Sequence, residues 1–144
     1  MSIRRIKALE TYPVRHNVLR IGRPLKECAL EGDMHSTTVH IGSFYEGVLV
    51  GVATLLKKEM GNQGIQSAYQ LRGMAILENH RKKGIGKILL TFGERLAKEE
   101  GAEVIWMNAR VSAQDFYRKS GYVEIGQVFK VPNIGPHMVM FKKL

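Results

Sequence analysis

The sequence has little cysteine, few acidic side chains and no long apolar run, and each shortage closes off a class of protein. The single cysteine, Cys28, has no partner in the chain for a disulfide, and the five histidines show no close paired spacing with it of the kind a metal site needs. Cys28 therefore reads as a small buried residue, not a nucleophile, and no metal is expected. The longest apolar stretches, residues 48–56 and 85–90, are broken by Gly, Thr or Lys well short of the roughly 20 residues that cross a bilayer. No membrane partner is expected. The basic start, residues 1–7, is not followed by the unbroken apolar region and small-residue cleavage site of an export signal, so a cytoplasmic location is expected. Acidic residues number 13 against 22 Lys and Arg, a net charge of +9. Such a surface attracts phosphates, nucleic acids or membrane faces without choosing among them. A basic nucleic-acid-binding domain would rest on that charge alone, since the chain carries no aromatic stacking platform, recognition-helix motif or zinc pattern.

What is present is enough for one hydrophobic core: 144 residues with 44% hydrophobic side chains read as a single domain spanning residues 1–144. Residues 2–9 read as a strand, and Thr11 followed by Pro13 as a helix start, with the helix ending near Gly22. Residues 23–36, with Pro24, Gly32 and Asp33, read as a loop. The β-branched runs 37–44 and 48–56 flank Tyr45, Glu46 and Gly47 as a hairpin. A turn is expected at residues 61–64 and a strand at 67–77, with Gly73 marking a bulge or a close backbone approach. From Gly84 the period changes: Ile85, Ile88, Leu89, Phe92 and Leu96 lie on one face of a helix that Gly101 ends. Residues 103–108 read as a strand, Ser112 as the cap of a short helix stopped at Gly121, and residues 122–130 and 137–143 as two closing strands around a turn at 132–136. The order β-α-β-β-β-α-β-α-β-β implies an α/β layer structure on a mixed sheet.

Arg81, Lys82, Lys83, Gly84, Ile85, Gly86 and Lys87 lie between a strand and an amphipathic helix. Free N–H groups at a helix start favour an anion, glycines let it approach the backbone, and the adjacent bases add charge. A P-loop is excluded because Gly86 and Lys87 are followed by Ile88, where a hydroxyl would hold magnesium. A dinucleotide fingerprint is excluded because Leu89 stands where its third glycine belongs.

The segment resembles the acetyl-CoA site of the GNAT family of N-acetyltransferases, whose signature, Arg or Gln, two residues, Gly, one residue, Gly or Ala, is matched by Arg81, Gly84 and Gly86. The run 73–77, Gly-Met-Ala-Ile-Leu, is similar to the family's fourth strand, and Phe116 to Tyr122, Phe-Tyr-Arg-Lys-Ser-Gly-Tyr, to its second motif. Two motifs about thirty residues apart are far more specific than either alone. The chain departs from the pattern at Arg110, where members often carry Asn, and at Glu78, where Pro is frequent. The resemblance implies a central mixed, mostly antiparallel sheet of about seven strands, flanked by helices and splayed between the fourth and fifth. It implies acetyl-CoA as co-substrate, held by Met74, Ala75 and Ile76 on the strand, by residues 81–87, and by Asn108 and Tyr117, with contact by Asn108 or Arg110 left open. Small domains of this kind also pair, so a homodimer is open.

The expected reaction is direct attack of a primary amine on the thioester, which suits a chain without an evident nucleophile. A backbone N–H near Met74 to Ile76 would stabilise the oxyanion if the strand is bulged. By resemblance, Tyr117 would be the acid that meets the leaving thiolate. Glu46, Gln70 through a water, and His137 are candidates for the base, and residues 23–36 and 131–136 for the acceptor walls. A CoA-binding or regulatory module without turnover is the alternative within the same fold.

Overall fold

A computed structural model describes residues 1–61, 65 and 67–144. Ten regular elements follow in the order β1 (Ser2–Ile6), α1 (Tyr12–Leu19), β2 (Val39–Tyr45), β3 (Val48–Lys57), β4 (Ala68–Ile76), α2 (Ile85–Glu99), β5 (Val104–Arg110), α3 (Gln114–Lys119), β6 (Val123–Val131) and β7 (Gly135–Lys143). The strands form one sheet in the order β1-β2-β3-β4-β5-β7-β6. Every pairing is antiparallel except β4 with β5, which is parallel and joins only Ala68↔Val104 through Gln70↔Trp106. Beyond Gln70 the two strands diverge, and the gap between them is the structural basis of the site.

The helices cover opposite faces. Ile41, Val50, Ala53 and Leu55 pack against Leu89, Leu90 and Leu96 of α2, while Val52 and Ala75, of opposite pleat, pack against Val14 and Val18 of α1. The buried line of α2 is turned relative to the expected one. Ile88 is 39% exposed, whereas Leu90, Gly93 and Ala97 are buried. The helix approaches the sheet along Gly93, where a β-carbon would sit 3.4 Å from Leu55, and this rotation carries Ile88 to solvent.

The termini of several elements also move. β1 stops at Ile6 because the Lys7 N–H donates to the Glu10 carboxylate at 3.1 Å and draws the chain into a 3-10 turn, Ala8–Thr11. β5 runs on to Arg110 because β7 begins at Gly135, giving the pair Arg110↔His137. Ser112 caps nothing: it falls inside a 3-10 turn, Val111–Ala113, so α3 starts two residues later without a side-chain cap. The turn expected at 61–64 lies, apart from Gly61, outside the described residues. At Gly73 the bulge is real. Val52 faces Ala75 and Thr54 faces Arg72, so β4 has one residue more than β3 over this span, and Gly73 takes a φ of +56°.

Candidate active site

The divergence of β4 and β5 opens a cavity of about 380 Å³. Its walls come from the bulge (Gly73, Met74), from β5 (Asn108, Arg110), from α3 (Tyr117) and from the β6–β7 hairpin (Ile134, His137). On its β5 side β4 has no strand partner past Gln70, so the backbone groups of that edge point into the opening.

Tyr117 is buried, and its hydroxyl lies 3.8 Å from the Met74 sulfur at the bulge. Burial pushes the phenol up to about 12, so it is protonated throughout the working range. Its ring stands edge-on to Phe116 at 5.1 Å and to Tyr122 at 5.8 Å. Tyr122 is itself fixed, donating to Glu94 of α2 at 2.8 Å, and Lys142 of β7 bridges that carboxylate to the Ser120 carbonyl. The aromatic residues of the second motif thus set the position of one hydroxyl.

His137 lies on the same wall, with Nδ1 2.8 Å from the Gly135 carbonyl. A carbonyl can only accept, so Nδ1 carries the proton and the neutral ring keeps its lone pair on Nε2. Gln70 also reaches the cavity; its Oε1 is buried and has no partner among the described residues. Glu46 does not reach it. That residue sits with φ 50° in the tight turn between β2 and β3.

The glycine segment lies outside this cavity, at the start of α2. Gly84 takes a φ of +79° in the cap position, and a β-carbon there would meet nothing within 4 Å. Ile88 N–H makes the first helical bond, to Gly84, at 3.1 Å. The N–H groups of Ile85, Gly86 and Lys87 therefore precede the ladder, and no side chain caps them. Arg81, Lys82, Lys83 and Lys87 are exposed around this opening. Arg81 Nε donates to the Ile76 carbonyl at 3.2 Å, tying the loop to the end of β4, and Lys83 stands 5.3 Å over the Tyr45 ring. Gly86 has a second reason to be glycine: a β-carbon would stand 3.2 Å from the Phe116 ring. The open space, the free N–H groups and the positive charge fit a pyrophosphate.

Of the expected cofactor residues, Met74, Asn108 and Tyr117 meet around the cavity. Ala75 turns its side chain into the α1-side core, and the side chain of Ile76 packs on the α2-side core, so these two offer only backbone. Asn108 and Arg110 both line the opening, one pleat apart. Both expected acceptor walls contribute, Cys28 and Leu30 from one and Val131 and Ile134 from the other.

Sequence reasoning passed over every arginine of this region except Arg110. Arg15 of α1 is 1% exposed and forms a bidentate pair with Asp33, at 2.6 and 3.1 Å. It also donates to the Cys28 carbonyl at 2.9 Å and to Thr54 at 2.8 Å, while His40 bridges Thr54 and the Asp33 carbonyl. A β-carbon at Gly73 would come 3.2 Å from Arg15 Nε, so the network lies directly under the bulge. Arg20, Arg72 and Arg110 reach the cavity as well. A polar residue in an otherwise apolar stripe of α1 was the available signal for Arg15, and it does not name the partner.

A family model described as the acetyltransferase (GNAT) family matches residues 6–122. The chain belongs to the GNAT family of acetyltransferases. A Bacillus subtilis relative, described as the uncharacterized N-acetyltransferase YitI, is 35% identical over 144 residues, covering 100% of this chain and 97% of the relative. Among solved structures, the GNAT fold recurs in an aminoglycoside 6'-N-acetyltransferase complexed with coenzyme A, with a TM-score of 0.80 at 17% identity over 99% of this chain and 97% of that one. It recurs again in the ribosomal-protein-alanine N-acetyltransferase of Brucella melitensis, with a TM-score of 0.74 at 20% identity over 100% of both chains. Splaying at the parallel pair of strands is the feature on which this family's seven-stranded sheet opens. Among the described residues no helix is long and apolar enough to cross a membrane.

Proposed function

We propose that this GNAT protein transfers an acetyl group from acetyl-CoA to a primary amine by direct attack in a ternary complex. The observation that carries the reading is the convergence, in one cavity, of the β4 bulge, Tyr117 and His137, beside a helix start open to phosphate. Bound acetyl-CoA would supply the thioester, with its pyrophosphate on the N–H groups of Ile85, Gly86 and Lys87 and on the charges of Arg81, Lys82 and Lys83. The backbone of Met74 to Ile76 would hold the acyl end and offer an N–H to the oxyanion.

In the reaction the amine nitrogen bonds to the acyl carbon, the carbon–sulfur bond breaks, and the amine proton must leave while the sulfur gains one. His137 Nε2 can accept the first proton, directly or through a water held by Gln70. Tyr117 donates a hydrogen bond to the sulfur as charge grows there. A phenol near 12 is a weaker acid than a thiol of about 8.5, so this bond stabilises the thiolate, and the proton it finally carries can be the one shed by the amine.

Release of free thiol from acetyl-CoA in the presence of a panel of amines tests the activity. The cofactor site has its own test. A β-carbon at Gly86 already presses on Phe116, so Gly86→Ala is the packing control for Gly86→Glu. The Glu variant should bind acetyl-CoA at least tenfold more weakly than the Ala variant, by like-charge repulsion. Equal binding of the two would remove the pyrophosphate from this helix start. Replacing Arg81, Lys82 and Lys83 together by Ala should weaken acetyl-CoA far more than a pantetheine thioester without the nucleotide. Equal loss for both would mean a folding defect.

A further inference from the structure

The cavity has a charge pattern that the transfer reaction does not account for. Among the described residues no aspartate or glutamate side chain lines it, whereas Arg15, Arg20, Arg72 and Arg110 do. The charge of Arg15 is cancelled by Asp33. The other three form no ion pair among the described residues. Arg20 spends one N–H on the Leu19 carbonyl at 3.0 Å and Arg72 one on the Glu31 carbonyl at 3.0 Å, which holds each side chain and leaves its other donors free. Burial, and then the charges of Arg110 and Arg23, hold the Arg20 guanidinium below its ordinary value, so Arg20 stands in a field of like charge. A shallow cleft carries the same character outward, with Arg23, Arg110 and Asn133 on its rim.

These arginines are on the α1 side of the sheet: Arg20 follows α1, and Arg72 is anchored to the loop after it. The pyrophosphate segment begins α2, which packs on the opposite face. The coenzyme's phosphates therefore leave this cluster uncompensated.

Resting on the transferase reading, we propose that the acceptor is a small amine whose own molecule bears a carboxylate or phosphate, docked on Arg20, Arg72 and Arg110 with its amino group directed inward to the bulge. A guanidinium offers paired donors that match either anion, and the repulsion between Arg20 and Arg110 is relieved when one binds. Polycationic amines meet the opposite field, so spermidine and kanamycin are rejected.

Calorimetric titration with phosphoethanolamine, L-glutamate, ethanolamine and spermidine tests this without requiring turnover, and acetyl-CoA is titrated separately. At least one acidic amine should bind ten times or more tightly than ethanolamine, with spermidine weakest. Preference for phosphoethanolamine selects phosphate, and preference for L-glutamate selects carboxylate. Arg20→Gln and Arg72→Gln should each weaken the preferred acid tenfold or more and leave acetyl-CoA affinity unchanged, while Arg72→Glu should move the preference toward ethanolamine and spermidine. If ethanolamine or spermidine binds wild type as tightly as both acids, or if both Gln variants bind the acids as wild type does, the proposal is overturned even though acetyl-CoA binds. Failure of acetyl-CoA to bind overturns the transferase reading instead.

Discussion

Asp33→Ala should destabilise the protein by about 3–5 kcal/mol, the cost of leaving one member of a buried ion pair alone. Arg15 is 1% exposed and makes two of its hydrogen bonds to that carboxylate, so its charge would be stranded in the core. For a domain of this size the loss corresponds to roughly 10–20 °C in Tm, readable by thermal or urea unfolding. Arg15→Met with Asp33→Leu should lose less than Asp33→Ala alone, because no buried charge is then left unpaired. A loss under about 1 kcal/mol in Asp33→Ala would mean that water reaches the guanidinium.

The same pair predicts an acid limb. Burial by itself would push the Asp33 carboxyl up, but hydrogen bonds from Arg15 and the Leu30 N–H, together with the Arg15 charge, outweigh it and hold the group below its ordinary value. A carboxyl with a lower folded than unfolded pKa contributes its full stability above the unfolded value, near 3.9, and loses it as pH falls through the folded one. The stability gap between wild type and Asp33→Asn should therefore be constant above about pH 5 and close as pH falls below about 4. The network also contacts Gly73, so variants of Arg15 should lose turnover beyond what their stability explains.

Tyr117→Phe should lower turnover about a hundredfold with acetyl-CoA affinity and Tm almost unchanged. The ring and its edge contacts to Phe116 and Tyr122 remain, and the hydroxyl's sole hydrogen bond among the described residues is a weak one to the Met74 sulfur. Because the phenol is held up near 12, it stays protonated at every practical pH. The Phe variant should thus be slower by the same factor from about pH 6 to about pH 10, with the shape of the profile unaltered. A drop confined to affinity would assign Tyr117 to positioning alone. An unchanged rate would mean that the thiolate leaves unaided.

Much of this was legible because local physics wrote it. The hairpin around Glu46 and Gly47, the bulge at Gly73, the helix start at Gly84 and the aromatic bracket from Phe116 to Tyr122 all depend on backbone dihedrals or short periodicities that neighbouring residues dictate. The element order and the pattern of glycines and bases in residues 81–87 are of the same kind, and they pointed to the family. Element ends were less legible. Ser112 has the composition of a cap, yet the exit from β5 tightens the chain first, and Ile88 fits the helical stripe until Gly93 sets the direction of approach.

Whether an ionisable side chain is stranded, paired or free depends on what stands opposite it, often dozens of residues away, and no periodicity records that. Nothing local in the sequence pairs Arg15 with Asp33, and tertiary structure made them a buried support beneath the bulge. Arg20 after α1, Arg72 on β4 and Arg110 on β5 line one cavity only because β4 and β5 diverge. Glu46, Gln70 and His137 were all candidates for the base; the fold leaves Glu46 in the hairpin turn and brings the other two to the cavity wall. The family was thus legible in the sequence, through local conformational preference; the charge lining the cavity was decided by the tertiary structure, because Coulomb interactions act through space and not along the chain.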